Sequence, residues 1–266
     1  VDANSVLHAC ASAGLVLPAR LSPANSALPH EAMQPGARWG RIWRDAVLAH
    51  PGAHLADYAA DAPVVGEGEV AEAYFRVVAG VFRAVKYTPD GRRQVFAFHQ
   101  PGDLFGFEAG GWRATTIEAV SDGLLAVYSR SAAERALGRD ATLANALFAG
   151  AAAALERATE HMMMLGRSSA EERVAWFLWK VVRGREGAAR RRNESSVAPS
   201  RHLAMSRRDM ADFLGLTIET ISRTIGVFRR QGLIRLLSAR EVEILRPQQL
   251  ARLAAADRDH PAGGRA

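Results

Sequence analysis

Between about His50 and Arg130 the apolar residues come in short runs rich in Val, Phe and Tyr, separated by turn formers. The runs are Tyr74–Ala79, Gly80–Lys86, Gln94–His99, Thr115–Val120 and Leu124–Tyr128; the separators include Pro89-Asp90-Gly91, Pro101-Gly102-Asp103 and Gly110-Gly111. Many short strands at this spacing predict an all-β sandwich or roll. The strongest hairpin signal spans Lys86 to Val95, with Pro89-Asp90-Gly91 at its tip. After Ser131 the period changes. Leu143, Leu147, Ala151, Ala154, Ala158, His161 and Leu165 recur at steps of three and four, which predicts an apolar stripe along a helix of roughly 25 residues. Its length and continuity favour a partner helix from a second subunit over packing on the β domain. Gly150 and Ala151–Ala154 keep part of the helix small enough for close approach.

Gly166 breaks that helix, and Ser169-Ala170-Glu171-Glu172 is a capping box opening another, Glu171–Val182. Trp176 and Trp179 lie there as core or inter-domain packing, and the polar stretch Gly184–Ser200 reads as a loop. A second capping box, Ser206-Arg207-Arg208-Asp209, starts a helix reaching about Leu214, with Met210, Ala211 and Leu214 inward. Gly215 supplies a tight turn, and Thr217 caps a helix from Ile218 to about Gln231 with Ile221, Ile225 and Phe228 on one face. Two short helices joined by a Gly-containing turn predict a helix-turn-helix. On the opposite face Glu219, Ser222 and Arg223 fall at i, i+3 and i+4 and project together from the first turns. Those turns meet base edges in a helix-turn-helix. Arg donates twice to guanine, Glu accepts from cytosine N4, and Ser serves several bases. Glu219 and Arg223 can therefore address both partners of one G·C pair. Ser206, Arg207, Thr217, Thr220 and Arg229 are the expected backbone-contacting or helix-positioning residues. Beyond Gly232, Leu233–Leu237 and Glu241–Leu245 predict a two-stranded wing closed by Pro247.

Charge strengthens this picture. Residues 166–266 hold 20 Lys+Arg against 11 Asp+Glu, whereas residues 1–165 hold 14 against 17. A basic C-terminal third points to a polyanion partner, or else to a basic solvated surface; beside a helix-turn-helix the expected partner is double-stranded DNA. Lys86 and Lys180 are the only lysines, so nearly all this charge is arginine. The single cysteine, Cys10, rules out an internal disulfide framework and a thiolate-held zinc or iron–sulfur site. With no secretory signal at the N-terminus and no apolar run long enough for a bilayer, a cytoplasmic protein without membrane attachment is expected. No catalytic triad, metal-spaced His cluster or phosphate loop stands out, so no enzyme is expected.

The run Asp212-Phe213-Leu214-Gly215-Leu216-Thr217-Ile218-Glu219-Thr220-Ile221-Ser222-Arg223 resembles the recognition motif of the CRP/FNR family of bacterial regulators. Its Glu-x-x-Ser-Arg pattern is that of the FNR and FixK branches. Pro89–Val95 and Phe98–Glu108 resemble the FixK group most closely. The resemblance implies an α+β chain: an N-terminal cyclic-nucleotide-binding-like β-roll (jelly roll), a long dimerisation helix and a C-terminal winged helix-turn-helix. The corresponding segments are an arm over 1–50, the roll over 51–135, the dimerisation helix over 136–166, the DNA-binding domain over 167–250 and a tail over 251–266. It further implies a homodimer on a TTGAT-N4-ATCAA-like palindrome, with Glu219 and Arg223 reading the inner G·C pair and Ser222 an outer thymine. The stripe Leu143, Leu147, Ala151, Ala154, Ala158, His161 and Leu165 would form the dimer interface. The hairpin residues Asp90, Arg92 and Arg93 would contact RNA polymerase during activation of microaerobic-respiration or nitrogen-fixation genes.

Several departures from the family bear on control. The four cysteines of an oxygen-sensing cluster are absent. Where the cAMP-responsive branch holds its nucleotide with an Arg-Ser pair and a Glu, this chain offers Arg113-Ala114 and Glu108 across a shortened loop. Ile218 stands where that branch carries an additional base-reading Arg. His99 and His161 are the candidate haem ligands by analogy with the CO-sensing branch. The expected regulator needs no cofactor, metal or effector; the alternative is a regulator of the same fold with an unidentified small ligand in the roll.

Overall fold

The computed structural model describes residues 53–166, 169–189, 200–238 and 241–255. The arm, Cys10, Arg190-Arg191-Arg192 and the chain beyond 255 lie outside the described residues. The chain divides into two compact units, Val1–Arg157 and Ala158–Ala266.

The first unit is a roll of two four-stranded antiparallel sheets. One has the order β1 (Ala53–Tyr58), β8 (Gly123–Ser129), β3 (Ala73–Ala79), β6 (Leu104–Phe105). The other has the order β2 (Pro63–Val65), β7 (Thr116–Ala119), β4 (Phe82–Tyr87), β5 (Arg93–His99). Side chains alternate across a strand, and in β3 and β8 both faces find cover. Phe75, Val77, Leu125 and Val127 join Phe82, Phe105 and Ile117 in one buried cluster. Tyr74, Leu124, Ala126 and Tyr128 join a second cluster with Ala133 and Ala146 from the helices that follow. The unbroken apolar runs at Tyr74–Ala79 and Leu124–Tyr128 reflect this two-sided burial. β1, β2 and β6 were not expected; the helical part begins at α1 (Arg130–Leu137), beside Ser131 where the period changes. α1 is capped by Ser129, whose hydroxyl accepts from the Ala132 N–H.

Helix α2 (Ala141–Leu165) has the expected length, and the stripe expected to meet a partner is covered in part by this chain. Leu143 is 2% exposed, and Leu147 is half-buried against the roll. Gly150 is small because the roll is close: a Cβ there would stand 2.4 Å from Leu104 Cδ1. The residue therefore admits the chain's own sheet rather than a second helix. His161 is buried in its own chain, while Ala158 is exposed and Ala151, Ala154 and Leu165 are partly covered. The helix is apolar on more than one side, so periodicity found a real stripe without showing which partner it meets. The exposed large residues form a neighbouring stripe, Phe148 (77%), Leu155 (68%) and Met162 (63%), spaced by sevens.

In the second unit α3 (Ala170–Ala189) runs seven residues past its expected end into the stretch read as a loop. Its capping box is present: Ser169 Oγ accepts from Glu172 N at 3.2 Å, and Ser169 N donates to Glu172 Oε2 at 3.3 Å. α4 (Arg207–Leu214) and α5 (Ile218–Arg230) follow. The wing is three-stranded rather than two-stranded, in the order β10 (Ile234–Ser238), β11 (Glu241–Ile244), β9 (Ser200–His202). α6 (Pro247–Ala255) runs across the expected tail boundary; Pro247 opens it, as proline does at a first helical position. Met210, Phe213, Leu214, Ile221, Ile225, Phe228, Ile234, Val242, Ile244 and Leu250 are all buried in this unit.

Candidate DNA interface

Local chemistry fixes both helices of the helix-turn-helix. Ser206 Oγ accepts from Asp209 N at 3.1 Å, and the Asp209 carboxylate accepts from Ser206 N at 3.1 Å and from its hydroxyl at 2.8 Å. Gly215 ends α4 in the left-handed conformation (φ 63°, ψ 41°), which a side chain would strain. Two residues later Thr217 caps α5, its hydroxyl accepting from Thr220 N at 3.2 Å. The Thr217 and Thr220 hydroxyls lie 3.1 Å apart. Ser206, Thr217 and Thr220 are thus occupied in holding the helix starts. Arg207 is half-buried and Arg229 exposed.

α5 buries Ile221, Thr224, Ile225 and Phe228 and turns Glu219, Ser222 and Arg223 to solvent. Among the described residues neither Glu219 nor Arg223 has an ion-pair partner. The two do not neutralise each other, although their i, i+4 spacing permits it. The backbone N–H of Glu219 and the Thr217 hydroxyl hold the Glu219 carboxyl below the usual carboxylate range. It stays ionised and accepts only, as cytosine N4 requires. Ile218, 42% exposed beside them, puts an apolar group on the same turn. Arg235 on the wing pairs with Glu243 at 3.0 Å.

The roll uses the same residue types differently. Arg113 is buried, with Nη1 2.9 Å from Glu108 Oε2, Nη2 donating to the Ala73 carbonyl at 2.7 Å and the guanidinium 5.1 Å over the Phe75 ring. Gly106 (φ 98°) makes room: a Cβ there would stand 2.9 Å from Ala73 O and 3.1 Å from Arg113 Nη1. The two residues that would have to hold a cyclic nucleotide are bonded to each other, so such a ligand would have to displace Glu108 from Arg113. His99 is buried, stacked on Phe105 at 4.5 Å between centroids, and burial helped by Arg157 lowers its pKa to about 3. His161 bonds to the Phe213 carbonyl. Neither histidine belongs to a metal-holding cluster among the described residues.

The expected polymerase-facing hairpin is a self-tied turn. Thr88 Oγ1 donates to Asp90 Oδ1, Arg92 Nε donates to Asp90 Oδ2 at 2.7 Å, and Gly91 takes φ 81°. The Thr88 and Arg92 donors lower the Asp90 pKa. Arg92 is exposed and Arg93 half-buried.

Comparison with known proteins agrees with this geometry. A cyclic nucleotide-binding domain family matches residues 55–140, and a Crp-like helix-turn-helix domain family matches residues 172–253. The nitrogen fixation regulation protein FixK of Azorhizobium caulinodans is 44% identical over 196 residues, covering 74% of this chain and 77% of that protein. This chain belongs to the CRP/FNR family of transcription regulators. FixK of Rhizobium meliloti is 36% identical over 200 residues, covering 75% and 86% of the two chains. The solved structure of FixK2 from Bradyrhizobium japonicum superposes with a TM-score of 0.68 at 39% identity, covering 76% of this chain and 98% of that one. The chain is therefore a FixK-like regulator with a helix-turn-helix DNA-binding domain. No described helix is long and apolar enough to cross a membrane.

Two features escaped sequence reasoning. The outward stripe on α2 was signalled by the seven-residue spacing of Phe148, Leu155 and Met162. Arg173, which reaches the end of α4, had no local signal because its partners are backbone carbonyls some forty residues away.

Proposed function

We propose that this protein, in the cytoplasm, binds double-stranded DNA as a homodimer at a TTGAT-N4-ATCAA-like palindrome and activates microaerobic-respiration or nitrogen-fixation genes. The carrying observation is the joint exposure of Glu219, Ser222 and Arg223 on the first turns of a doubly capped α5. Glu219 and Arg223 read the two bases of the inner G·C pair, and Ser222 meets an outer thymine. Arg207 and Arg229 contact phosphates, while Asp90, Arg92 and Arg93 meet RNA polymerase. The dimer forms along Phe148, Leu155 and Met162, whose sevenfold spacing suits a pair of parallel helices. Binding needs no effector, because Arg113 already satisfies the charge of Glu108 within the chain.

Titration of wild-type protein, Glu219→Ala and Arg223→Ala against the palindrome and against duplexes altered at the inner G·C pair tests the assignment. Arg223→Ala is expected to cost about 1–3 kcal/mol and to relax preference at that pair. Unchanged base preference in both variants refutes it. Leu155→Glu is expected to yield a folded monomer that binds the palindrome poorly, whereas Leu147→Glu disrupts the roll itself. A dimeric Leu155→Glu protein in sedimentation refutes the interface.

A further inference from the structure

The end of α4 is held from outside the helix-turn-helix. A helix leaves its last carbonyls without intrahelical donors. Here Gly215 N–H returns to the Ala211 carbonyl, as does Leu216 N–H at 3.0 Å. The carbonyls of Phe213, Leu214 and Gly215 meet side chains from other helices. His161 Nε2, on the last turns of α2, lies 2.8 Å from Phe213 O. A carbonyl only accepts, so this nitrogen carries the proton and donates. The same imidazole stacks on the Phe213 ring at 3.9 Å and 9°, and Phe177 meets that ring edge-on at 5.9 Å. Arg173 Nη1, on the first turns of α3, donates to Leu214 O at 3.1 Å and reaches Gly215 O at 3.5 Å. Leu165, one turn beyond His161, lies 3.5 Å from where a Gly215 Cβ would stand.

The gripped carbonyls belong to residues two to four positions before the Thr217 cap, and Glu219 follows two positions after it. Between the grip and the base-facing residues there is only the turn, so the clamp fixes where α5 begins and how it is pitched. We propose that His161 and Arg173 are positioning residues for base reading, setting the recognition helix through the α4 carbonyls without touching DNA. The proposal rests on the DNA reading above and names what holds its geometry. His161 is next in sequence to the exposed Met162, so a rearrangement of the last turn of α2 reaches the turn of the helix-turn-helix through one residue.

The test separates orientation from packing. His161→Phe keeps a stacked ring and removes the donor; His161→Gln keeps an N–H donor. Each full-length variant is titrated with the TTGAT-N4-ATCAA duplex and with a scrambled duplex, alongside thermal melting and sedimentation. His161→Phe is expected to lower the ratio of specific to scrambled affinity about tenfold, with scrambled binding unchanged and His161→Gln restored to within about threefold of wild type. Arg173→Met and Arg173→Lys repeat the comparison from α3, and carry the test if His161→Phe does not fold. A lower melting temperature with an unchanged affinity ratio in the folded Phe and Met variants overturns the clamp and leaves only packing. A wild-type ratio near one overturns the DNA reading itself, and the clamp with it.

Discussion

Two Glu–Arg pairs, one in each unit, have opposite fates. In the roll, Glu108 and Arg113 are bonded at 2.9 Å, with Arg113 buried and its second terminal nitrogen committed to a carbonyl. On α5, Glu219 and Arg223 stand one helical turn apart, exposed and unbonded to each other. The residue types are identical; solvent access and backbone direction decide the outcome. Burying a charge costs so much that it must be matched inside the chain, and a ligand would have to break that match to use either group. A solvated charge can stay unmatched at little cost, and its donors or acceptors remain available to base edges. The Glu108–Arg113 pair is thus engaged within the roll, while Glu219 and Arg223 keep their solvent-facing donors and acceptors free of each other.

The largest effect that can break this comparison lies in the roll. Arg113→Ala leaves the Glu108 carboxylate without its cation, and removing one partner of a buried pair costs about 3–5 kcal/mol. Glu108 keeps some solvent contact, so about 3 kcal/mol is expected in urea unfolding of the roll, with palindrome affinity per folded molecule unchanged. Full stability in Arg113→Ala, or a marked gain in wild-type palindrome affinity on adding cyclic AMP, shows that the pair is not a purely structural tie.

A smaller effect comes from acid. His99 has a folded pKa of about 3, lowered first by burial and then by Arg157, against about 6.5 in an unfolded chain. As pH falls below 6.5 the unfolded chain takes a proton that the folded roll refuses, so stability present at neutral pH drains away toward pH 3. The loss is about 1.4 kcal/mol per pH unit, or about 2 kcal/mol between pH 6.5 and 5. The Glu219 pKa is already low, so the recognition face keeps its charge over this interval. Denaturation at a series of pH values should show the slope in wild type and a flatter profile in His99→Leu; equal slopes would remove His99 as its cause.

The smallest effect sharpens the other side. Thr217→Ala removes the α5 cap and is expected to cost about 1 kcal/mol of stability. It also removes one of the donors that keep Glu219 ionised. Palindrome affinity should therefore fall more steeply below pH 5 in Thr217→Ala than in wild type; identical pH profiles would show that the cap has no electrostatic role.

Much of the second unit was legible because its signals are local. Ser206 to Asp209, Gly215 and Thr217 each work within four residues, and the resulting helix start fixes which side of α5 faces out. The long helix and the Asp90-Gly91 turn were readable for the same reason. The short strands were not. β9 is only three residues long and exists because β11, some forty residues later, supplies its partners. β6 is two residues long and pairs with β3. Pro247 follows the end of the wing, as expected, and also opens α6, a second role that no local pattern distinguished. On α2 the covered side was not legible for a different reason: adjacent stripes are both apolar, and only the roll decides which one this chain covers. Glu219, Ser222 and Arg223 were legible as exposed, yet the carbonyls behind them carried no trace in the sequence.

Gly150 gives that last ambiguity a mechanical answer. With only a hydrogen there, α2 settles onto Leu104, and the azimuth of the helix about its own axis is set like a shaft located by a keyway. One residue is about 100° of rotation in an α-helix, so the choice between the stripe through Leu147 and the one through Phe148 is a single step of that shaft. A methyl at position 150 would favour the helix by propensity, about 1 kcal/mol, and still oppose its seating. The missing side chain therefore decides, from inside the protomer, which surface a second copy would encounter.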